Sequence, residues 1–375
     1  MSFSTTINEQ VCVLALSRVQ VHNPALLRQI MDVAGSAKEL FDNLQYINDI
    51  LPGISPTLVD ALRAPEILER AKREMDFVCS KGIKLTCLND SDYPARLLEC
   101  CDAPIALYSL GNIPFNAKHI VSIVGTRHAT EYGKGLCRNF VIDLARMLPD
   151  TLIVSGLAYG IDICAHRAAL EAGLPTVGVL AHGLDMIYPH THRSVAKSMI
   201  EQSGGLLTEF MSETNPFPHF FVQRNRIVAG MADATVVIES ASKGGSLITA
   251  SMAQGYSRDC FAFPGRISDQ YSCGCNELVA RNRAALITSA YDFVEAMNWS
   301  TGKVKKSHQT EIFPEFTPQE EVVMNLLQSA PDGLQVNQLV VQADMPVNVL
   351  MPLLFDMEMK GYVKAVAGGC YRSIV

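Results

Sequence analysis

The feature that most restricts the fold is a series of seven short apolar runs between residues 118 and 297, each separated from the next by a segment of helical length. The runs are IVSIVGT, TLIVSG, TVGVLAHG, GGLLTEF, ATVVIES, DCFAFPG and AALITSA. Nearly continuous hydrophobicity in strands that alternate with helices is typical of a parallel sheet covered on both faces. The pattern therefore predicts an α/β fold with an extended, Rossmann-like, doubly wound parallel sheet.

The chain on the N-terminal side of this sheet has a different pattern. Residues 1–90 contain short apolar segments of helical period, broken by Pro, Gly and Asn, and predict a helical domain of the SAM or helix-hairpin-helix type. Within it, residues 49–62 predict a helix, a Pro-Gly turn and a second helix. Such a turn can present backbone N–H groups to a nucleic-acid phosphate. A plain helical connection is the interpretation we favour, because few basic residues lie nearby.

The C-terminal side predicts a linker and a small domain. We place the Rossmann-like domain at residues 91–298, and the polar, Gly- and Pro-containing residues 299–316 predict a linker. A winged helix is predicted for residues 317–375. It begins at a capping-box signature formed by Thr317 and Glu320, continues through two more helices, and ends in a hairpin around Gly368 and Gly369. Its third helix carries two carboxylates and a single lysine, which favours contact with a protein over contact with duplex DNA.

The composition limits the class of protein. The chain has 375 residues, of which 48% are apolar and 18% charged, so it can bury a sizeable core. No segment approaches the roughly 18 uncharged apolar residues of a membrane span, and the N-terminus lacks the pattern of a signal peptide. The eleven cysteines lack the paired spacing of a zinc site. We therefore expect a cytoplasmic protein with reduced thiols and no membrane contact.

The charge distribution is uneven. The formal net charge is -7, which argues against a surface that is basic throughout. Residues 220–283 nevertheless contain seven Lys or Arg against five Asp or Glu. A positively charged site is therefore expected only in this part of the chain.

Ligands of doubly wound sheets bind beyond the carboxyl ends of the strands, so the residues directly after each run are the candidate site. After the first run, Gly125 and Thr126 turn the chain, and Arg127 presents a planar charged group suited to phosphate or to stacking on a base. A structural ion pair is the alternative for Arg127. After the second run, Ser155 and Gly156 permit the close approach of a ligand.

Histidines are the other notable side chains near the predicted strand ends. His166 lies one turn into the helix after the second run and is expected to pack or hydrogen-bond rather than to act as a base. His182, His190 and His192 follow the third run, but no Cys or carboxylate has the spacing that would complete a metal site with them. The sequence therefore predicts neither a metal ion nor a cofactor.

The segment NPFPHFFVQRNRIVAG after the fourth run interleaves aromatic residues with Arg224, Asn225 and Arg226. Guanidinium groups that hold a backbone, beside rings that meet exposed bases, suit single-stranded nucleic acid. The alternative is an amphipathic helix with solvated arginines. We favour binding, because Phe220 and Phe221 cannot both face the core.

A glycine-rich turn, Lys243-Gly244-Gly245-Ser246, follows the fifth run and opens a helix. It is not a Walker A loop, because the lysine precedes the glycines, and the dinucleotide signature G-x-G-x-x-G is absent. Backbone N–H groups at a helix N-terminus, with the Lys243 ammonium and the Ser246 hydroxyl, predict a phosphate-binding turn.

These motifs, with VSGLAYGID after the second run and FAFPG and GCNELV further on, resemble in type and order those of the DNA-processing protein family called DprA or Smf, over about residues 92–297. The resemblance implies a non-enzymatic protein that binds single-stranded DNA in a basic pocket and forms homodimers. It also implies loading of RecA recombinase onto incoming strands, including strands coated with single-strand binding protein, during natural transformation and homologous recombination. The DNA contacts that it implies are Arg127, Arg224, Asn225 and the turn from Lys243 to Ser246.

Two other functions remain open from the residues. The first is an enzyme related to the nucleotide phosphoribohydrolases, whose motif P-G-G-x-G-T-x-x-E has a catalytic glutamate. Aligned on Gly244 and Gly245, the proline position is Lys243 and the glutamate position is Ser251, so that carboxylate is missing. The second is a small-nucleotide sensor that signals through the winged helix.

Overall fold

The computed structural model describes residues 8–19, 25–299, 316–330, 333–366 and 369–374. The chain forms two compact units, Met1–Thr301 and Gly302–Val375. Each unit has its own apolar core. Among the described residues, no single helix is long and apolar enough to cross a bilayer.

One nine-stranded sheet forms the centre of the first unit. Its strands are β1 (Lys84–Cys87), β2 (Ala106–Gly111), β3 (Ile120–Val124), β4 (Leu152–Ser155), β5 (Thr176–Val179), β6 (Gly205–Thr208), β7 (Ala234–Val237), β8 (Asp259–Ala262) and β9 (Ala285–Leu286). Their order is β1-β2-β6-β5-β4-β3-β7-β8-β9. Strands β3 to β9 are parallel, which confirms the seven predicted strands. Strands β1 and β2 were not predicted, and they extend one edge by antiparallel pairing.

Helices surround this sheet. They are α1 (Glu9–Ser17), α2 (Ala25–Ala34), α3 (Ala37–Asp42), α4 (Ile47–Ile50), α5 (Pro56–Arg63), α6 (Pro65–Lys81), α7 (Ala95–Leu98), α8 (Glu131–Met147), α9 (Ile161–Ala172), α10 (Arg193–Glu201), α11 (Pro218–Gly230), α12 (Gly245–Gly255), α13 (Cys273–Ala280) and α14 (Ala290–Ala296). Along β3, Val121 and Ile123 pack in the core that contains α8 and α9, whereas Ile120 and Val124 pack in the core on the other face. Both faces of the sheet are therefore covered, as the apolar runs predicted.

The strand order reverses at β3. From this strand the chain proceeds through β4 and β5 to β6 on one side and then crosses to β7 on the other. Val121 is consequently paired with Ile153 of β4 and with Ala234 of β7. A reversal of this kind opens a crevice at the carboxyl ends of the strands, where doubly wound folds bind their ligands.

The N-terminal helices pack onto the sheet within the same compact unit. Arg70 of α6 donates to Glu74 at 2.8 Å and to the carbonyl of Ser212, beyond β6, at 2.6 Å. Ser212 N donates in turn to Glu74 Oε1 at 2.8 Å, and all three side chains are buried. The position near residue 90, where the sequence pattern changes from helical segments to alternating strands and helices, therefore lies inside one compact unit.

The helix, turn and helix predicted for residues 49–62 are present. They correspond to α4, a turn in which Gly53 has a φ of 86°, and α5, whose cap Ser55 accepts from Leu58 N at 3.2 Å. A phosphate contact at this turn stays a prediction.

The second unit is a winged helix. Its elements are α15 (Pro318–Gln328), β10 (Leu334–Gln335), α16 (Val336–Gln342), α17 (Val347–Met359), β11 (Val363–Val366) and β12 (Cys370–Ser373). The predicted capping box is confirmed, because Glu320 N donates to Thr317 Oγ1 at 3.3 Å and Thr317 N donates to Glu320 Oε2 at 2.8 Å. The hairpin of β11 and β12 is also confirmed. Its predicted turn residue Gly368 lies outside the described residues, as do residues 300–315 of the predicted linker.

Helix α17 of this unit exposes an apolar stripe. Val347, Met351, Phe355 and Met359 recur every four residues, and all four are exposed, Met359 by 74%. The helix contains no Lys or Arg, so it lacks the cations that attract the phosphates of a duplex. Contact of this unit with a protein stays a prediction.

Candidate nucleic-acid interface

Three loops meet at the carboxyl edge of the sheet, beside the reversal of strand order. Thr126 N donates to the carbonyl of Glu239 at 2.7 Å, which joins the loop after β3 to the loop after β7. Ile161 N donates to the carbonyl of Thr126 at 3.2 Å, which joins the loop after β4 to the same residue. The backbone of Thr126 therefore fixes the three loops relative to one another.

Two glycines permit this close packing. Gly160 has a φ of 78°, in the region that favours glycine, and a Cβ there would overlap the carbonyl of Thr126. A Cβ on Gly125 would overlap the side chain of Ile161. The structure thus assigns Gly125 to loop packing.

Arg127 is exposed at this edge. Its guanidinium carbon lies 5.1 Å from the centroid of the Phe221 ring, and its side chain forms no ion pair within the described part of the chain. A cation–π contact of this kind contributes about 0.5 to 1 kcal/mol at an exposed site. Within the described residues Arg127 therefore has no ion-pair partner in contact, although its charge contributes to lowering the pKa of the buried Asp162, and its exposed guanidinium packs over the Phe221 ring.

Exposed aromatic rings lie in the loops after β4 and β5 and at the start of α11, and two of them were not identified from the sequence. Tyr159 and Tyr188, in the loops after β4 and β5, are 47% and 46% exposed. The Tyr188 ring lies 6.0 Å from that of Phe221, and Phe217, at the start of α11, is 52% exposed. Exposed aromatic faces are the surfaces on which unpaired bases stack. The signal available in the sequence was a tyrosine in the segment after a strand. Tyr159 is four residues beyond the end of β4, and Tyr188 is nine residues beyond the end of β5.

Arg224 lies beneath the surface. Its side chain is 3% exposed, and Nη1 donates to the carbonyl of Val179 at the end of β5. Burial lowers the pKa of Arg224 to about 10, an effect that neighbouring Asp162 opposes. Burial also raises the pKa of Asp162, which the charge of Arg224 partly offsets. The predicted direct contact of Arg224 with a ligand is therefore corrected to a supporting position below the loop after β4.

The remaining candidates after β4 are also internal. Ser155 is buried, and its hydroxyl donates to the carbonyl of Ile123 at 2.6 Å, so it joins two strands. Gly156 lacks the Cβ that would overlap the Arg224 guanidinium. The predicted contact of Ser155 with the ligand is therefore corrected, whereas a ligand contact of the half-buried Gly156 stays a prediction.

His166 has the packing role that the sequence predicted. It is fully buried, and its Nδ1 lies 2.8 Å from Thr176 Oγ1. Burial, with further contributions from Arg224 and His192, lowers the pKa of His166 to about 3, so the imidazole is neutral. His166 is thus unsuited to act as a base that exchanges protons with a ligand.

Arg226 faces away from the crevice. It is 4% exposed, forms a buried ion pair with Glu209, and donates to the carbonyl of Asp102. The predicted contact of Arg226 with a DNA strand is therefore corrected, because its guanidinium is buried and bonds to Glu209 and to the carbonyl of Asp102. Asn225 is half-buried, and its side-chain amide forms no hydrogen bond within the described residues. A ligand contact of Asn225 stays a prediction.

The turn before α12 presents backbone donors and one lysine. Lys243 is exposed and has no ion-pair partner within the described ranges. Gly244 N donates to the carbonyl of Ala241 at 3.0 Å, whereas the N–H groups of Gly245 and Ser246 donate to no described residue. Free N–H groups at a helix N-terminus attract anions. The Ser246 hydroxyl is buried and donates to Ser240 Oγ at 2.8 Å, so its predicted contact is corrected to the backbone N–H alone.

The N-terminus of α8, in contrast, already holds an anionic group of the protein. The Glu239 carboxylate, buried at the end of β7, accepts from Thr130 N at 2.9 Å and from the Thr130 hydroxyl. A Cβ on Gly133 would overlap this carboxylate. Dinucleotide-binding folds place the pyrophosphate at the N-terminus of the helix after the first parallel strand. Glu239 occupies that position here, and the sequence interpretation did not identify it.

We expect Glu239→Gln to lower the free energy of unfolding by about 1 to 3 kcal/mol, because the buried side chain then presents an amide NH₂ group, in place of a carboxylate oxygen, to one of the two Thr130 donors. Urea denaturation measures the change. Glu66→Gln, at an exposed position in the first turn of α6, is the matched control and should leave the free energy of unfolding unchanged. Equal stability of both variants would show that the contacts of the Glu239 carboxylate with Thr130, at the N-terminus of α8, do not stabilise the fold.

The sequence predicts no metal site at the histidines that follow β5. His182 Nδ1 lies 2.8 Å from the carbonyl of Gly183, and His192 Nδ1 lies 2.9 Å from the carbonyl of Leu157. Among the described residues, no three His, Cys, Asp or Glu side chains form a group that would hold a metal ion.

Two family models match the chain. The model for DNA recombination-mediator protein A matches residues 84–298, and the model for the DprA winged helix domain matches residues 311–369. The first match covers the sheet from β1 to β9 with the helix that follows it.

Individual proteins support the same family. The chain is 32% identical over 284 residues to Protein Smf of Escherichia coli, which covers 75% of each chain. The structure of DNA processing protein A from Streptococcus pneumoniae is similar with a TM-score of 0.60 and 29% identity, over 78% of this chain and 98% of that one. The DNA processing protein A from Helicobacter pylori, whose structure was described for its single-stranded DNA binding mode, is similar with a TM-score of 0.52 and 28% identity. That match covers 58% of this chain and 95% of the other.

Proposed function

The chain belongs to the DNA recombination-mediator protein A family, and on that premise we propose that it binds single-stranded DNA across the carboxyl ends of β3, β4 and β7. The observation that carries the proposal is the exposed Arg127 guanidinium on the Phe221 ring, at the same edge of the sheet as the unpaired Lys243 and free N–H groups of the α12 turn. Cations and backbone donors would hold phosphates, and Tyr159 and Tyr188 would stack on bases.

We further propose that the protein performs this role without catalysing a reaction. The position of the phosphoribohydrolase glutamate is Ser251, which lies exposed on α12. The buried Glu239 is engaged with Thr130 and is not free to act on a ligand. His166 is neutral and enclosed. Release of base from nucleoside monophosphates by the purified protein would overturn this part of the proposal.

A competition binding experiment distinguishes a small-nucleotide sensor from a protein that binds a DNA strand. A labelled thymidine oligonucleotide is expected to bind, and thymidine monophosphate is expected to displace it only at far higher concentration. The occupation of the α8 N-terminus by Glu239 removes one anion site that a mononucleotide would use. Tight mononucleotide binding without oligonucleotide binding would favour the sensor.

The salt dependence of oligonucleotide binding should reflect the exposed cations Arg127 and Lys243. With one phosphate each for Arg127 and Lys243, the logarithm of the affinity should fall against the logarithm of salt concentration with a slope of about -1.4 per subunit, and Lys243→Ala should reduce its magnitude by about 0.7. Fluorescence anisotropy at several salt concentrations gives both slopes. A slope near zero would contradict binding through these phosphate contacts.

We propose that the bound strand is then transferred to RecA recombinase, by a homodimer, during natural transformation and homologous recombination. Membership in a recombination-mediator family supports this step. The test is whether the protein accelerates RecA filament formation on strands coated with single-strand binding protein, with an Arg127→Ala/Lys243→Glu variant as the control. No acceleration by the native protein would overturn the RecA step while leaving strand binding intact. Light scattering with and without oligonucleotide tests the homodimer.

A further inference from the structure

Two cysteines occupy one contact between α8 and α9. Cys137 Sγ lies 4.0 Å from the carbonyl of Ile161, and Cys164 Sγ lies 3.4 Å from the carbonyl of Lys134. Lys134 is one helical turn before Cys137, and Ile161 is one turn before Cys164. Each thiol therefore reaches across the contact between α8 and α9 to the turn that precedes the other thiol. Both are free thiols.

The two thiols differ in access and in acidity. Cys137 is fully buried, whereas Cys164 is partly exposed. The neighbouring Cys137 thiol, and the positive charges of Lys134 and Arg167, hold the pKa of Cys164 below its usual value. The neighbouring Cys164 thiol and burial raise the pKa of Cys137. An accessible, acidic thiol beside a second, enclosed thiol is the arrangement found in peroxide-sensing cysteine pairs.

We propose that Cys164 and Cys137 are a peroxide-sensitive pair that closes to a disulfide between α8 and α9. In the first step the Cys164 thiolate attacks hydrogen peroxide, the O–O bond breaks, and Cys164 becomes a sulfenic acid while hydroxide takes up a proton to leave as water. In the second step Cys137 sulfur attacks the Cys164 sulfur, the S–O bond breaks, and the departing hydroxide leaves as water with the Cys137 proton. Two thiols are oxidised and one peroxide is reduced to two waters.

The disulfide would act on the loops that carry the crevice. Residues 126–130 lead directly into α8, and residues 156–160 lead into α9. An S–S bond of about 2.05 Å is shorter than any contact between two thiols, so closing it draws the helices together. This consequence rests on the proposed function: we expect oxidation to weaken oligonucleotide binding about fivefold by displacing the Arg127 loop.

The chemistry is tested on the full chain without DNA. After treatment with hydrogen peroxide and alkylation, peptide mass mapping should find Cys137 and Cys164 joined, and dithiothreitol should restore both free thiols. Cys137→Ala should instead leave a sulfenic acid on Cys164 that dimedone traps, and Cys164→Ser should abolish both products. Cys101→Ser, at an exposed thiol outside the pair, is the control and should behave as the native chain. Full alkylation of Cys137 and Cys164 after peroxide would overturn the proposal.

The coupling to DNA has its own measurement. Linkage requires that, if the disulfide weakens oligonucleotide binding fivefold, bound oligonucleotide opposes disulfide formation by the same factor in a redox buffer. Failure of strand binding itself would appear in the reduced protein and would leave the mapped disulfide unaffected. A disulfide that forms equally with and without a saturating oligonucleotide would overturn the regulatory part alone.

Discussion

Replacement of Lys243 by glutamate together with Arg127 by alanine is expected to weaken the binding of a short single-stranded oligonucleotide by about a thousandfold. Each side chain would lose a charge-assisted hydrogen bond to phosphate, worth roughly 1.5 to 3 kcal/mol, and each 1.4 kcal/mol is a factor of ten in affinity. Both side chains are exposed, and Arg127 contacts the Phe221 ring. The free energy of unfolding should therefore change by no more than about 1 kcal/mol, the contribution of that cation–π contact.

The control for this experiment has the same charge change at the opposite edge of the sheet. Lys81 precedes β1, which runs parallel to β6, and Arg146 is in the last turn of α8, before β4. Both side chains therefore lie near the amino ends of the strands. Lys81→Glu with Arg146→Ala should reduce the affinity by about twofold at most at physiological salt, where distant charges are screened. An equal loss in both double variants would mean that net charge, and not this site, sets the affinity.

The parallel strands were predictable because each is buried on both faces and therefore consists of consecutive apolar residues. The antiparallel strands β1 and β2 were missed for a different reason. Their position depends on antiparallel pairing between distant parts of the chain, such as Tyr108 with Thr208, and no local pattern encodes that register.

The exposure of the candidate residues was predictable only where a residue has no ion pair or hydrogen bond to a distant part of the chain. Arg127 and Lys243 follow strands directly and remain exposed, as their loop positions indicated. In the QRNR segment, Arg224 and Arg226 look equivalent in sequence, yet one is buried near Asp162 and the other against Glu209. Those partners lie on other elements, so composition cannot distinguish a buried arginine from a free one. The Glu239 carboxylate was missed because its acceptor role depends on Thr130, far away in the chain.

Arg224→Ala is expected to lower the free energy of unfolding by about 3 kcal/mol at neutral pH. The variant loses the hydrogen bond to the carbonyl of Val179 and removes the larger of the charges that compensate the buried Asp162 carboxylate, which leaves the smaller contribution of Arg127. Urea denaturation measures the loss, and oligonucleotide binding is measured on the folded fraction. A variant of native stability that fails to bind would instead assign Arg224 to direct contact with DNA.

The pH dependence of this loss identifies its cause. Burial raises the folded-state pKa of Asp162 above its unfolded value, so ionisation of this carboxyl reduces stability as the pH rises above the unfolded pKa of about 3.9. Without Arg224 that reduction is larger, and the destabilisation by Arg224→Ala should be greatest at neutral pH and shrink as the pH falls toward about 4. Asp162→Asn in the same background should remove the pH dependence. A destabilisation that stays constant with pH would show that Arg224 acts through packing and its bond to Val179, and not through the charge of Asp162.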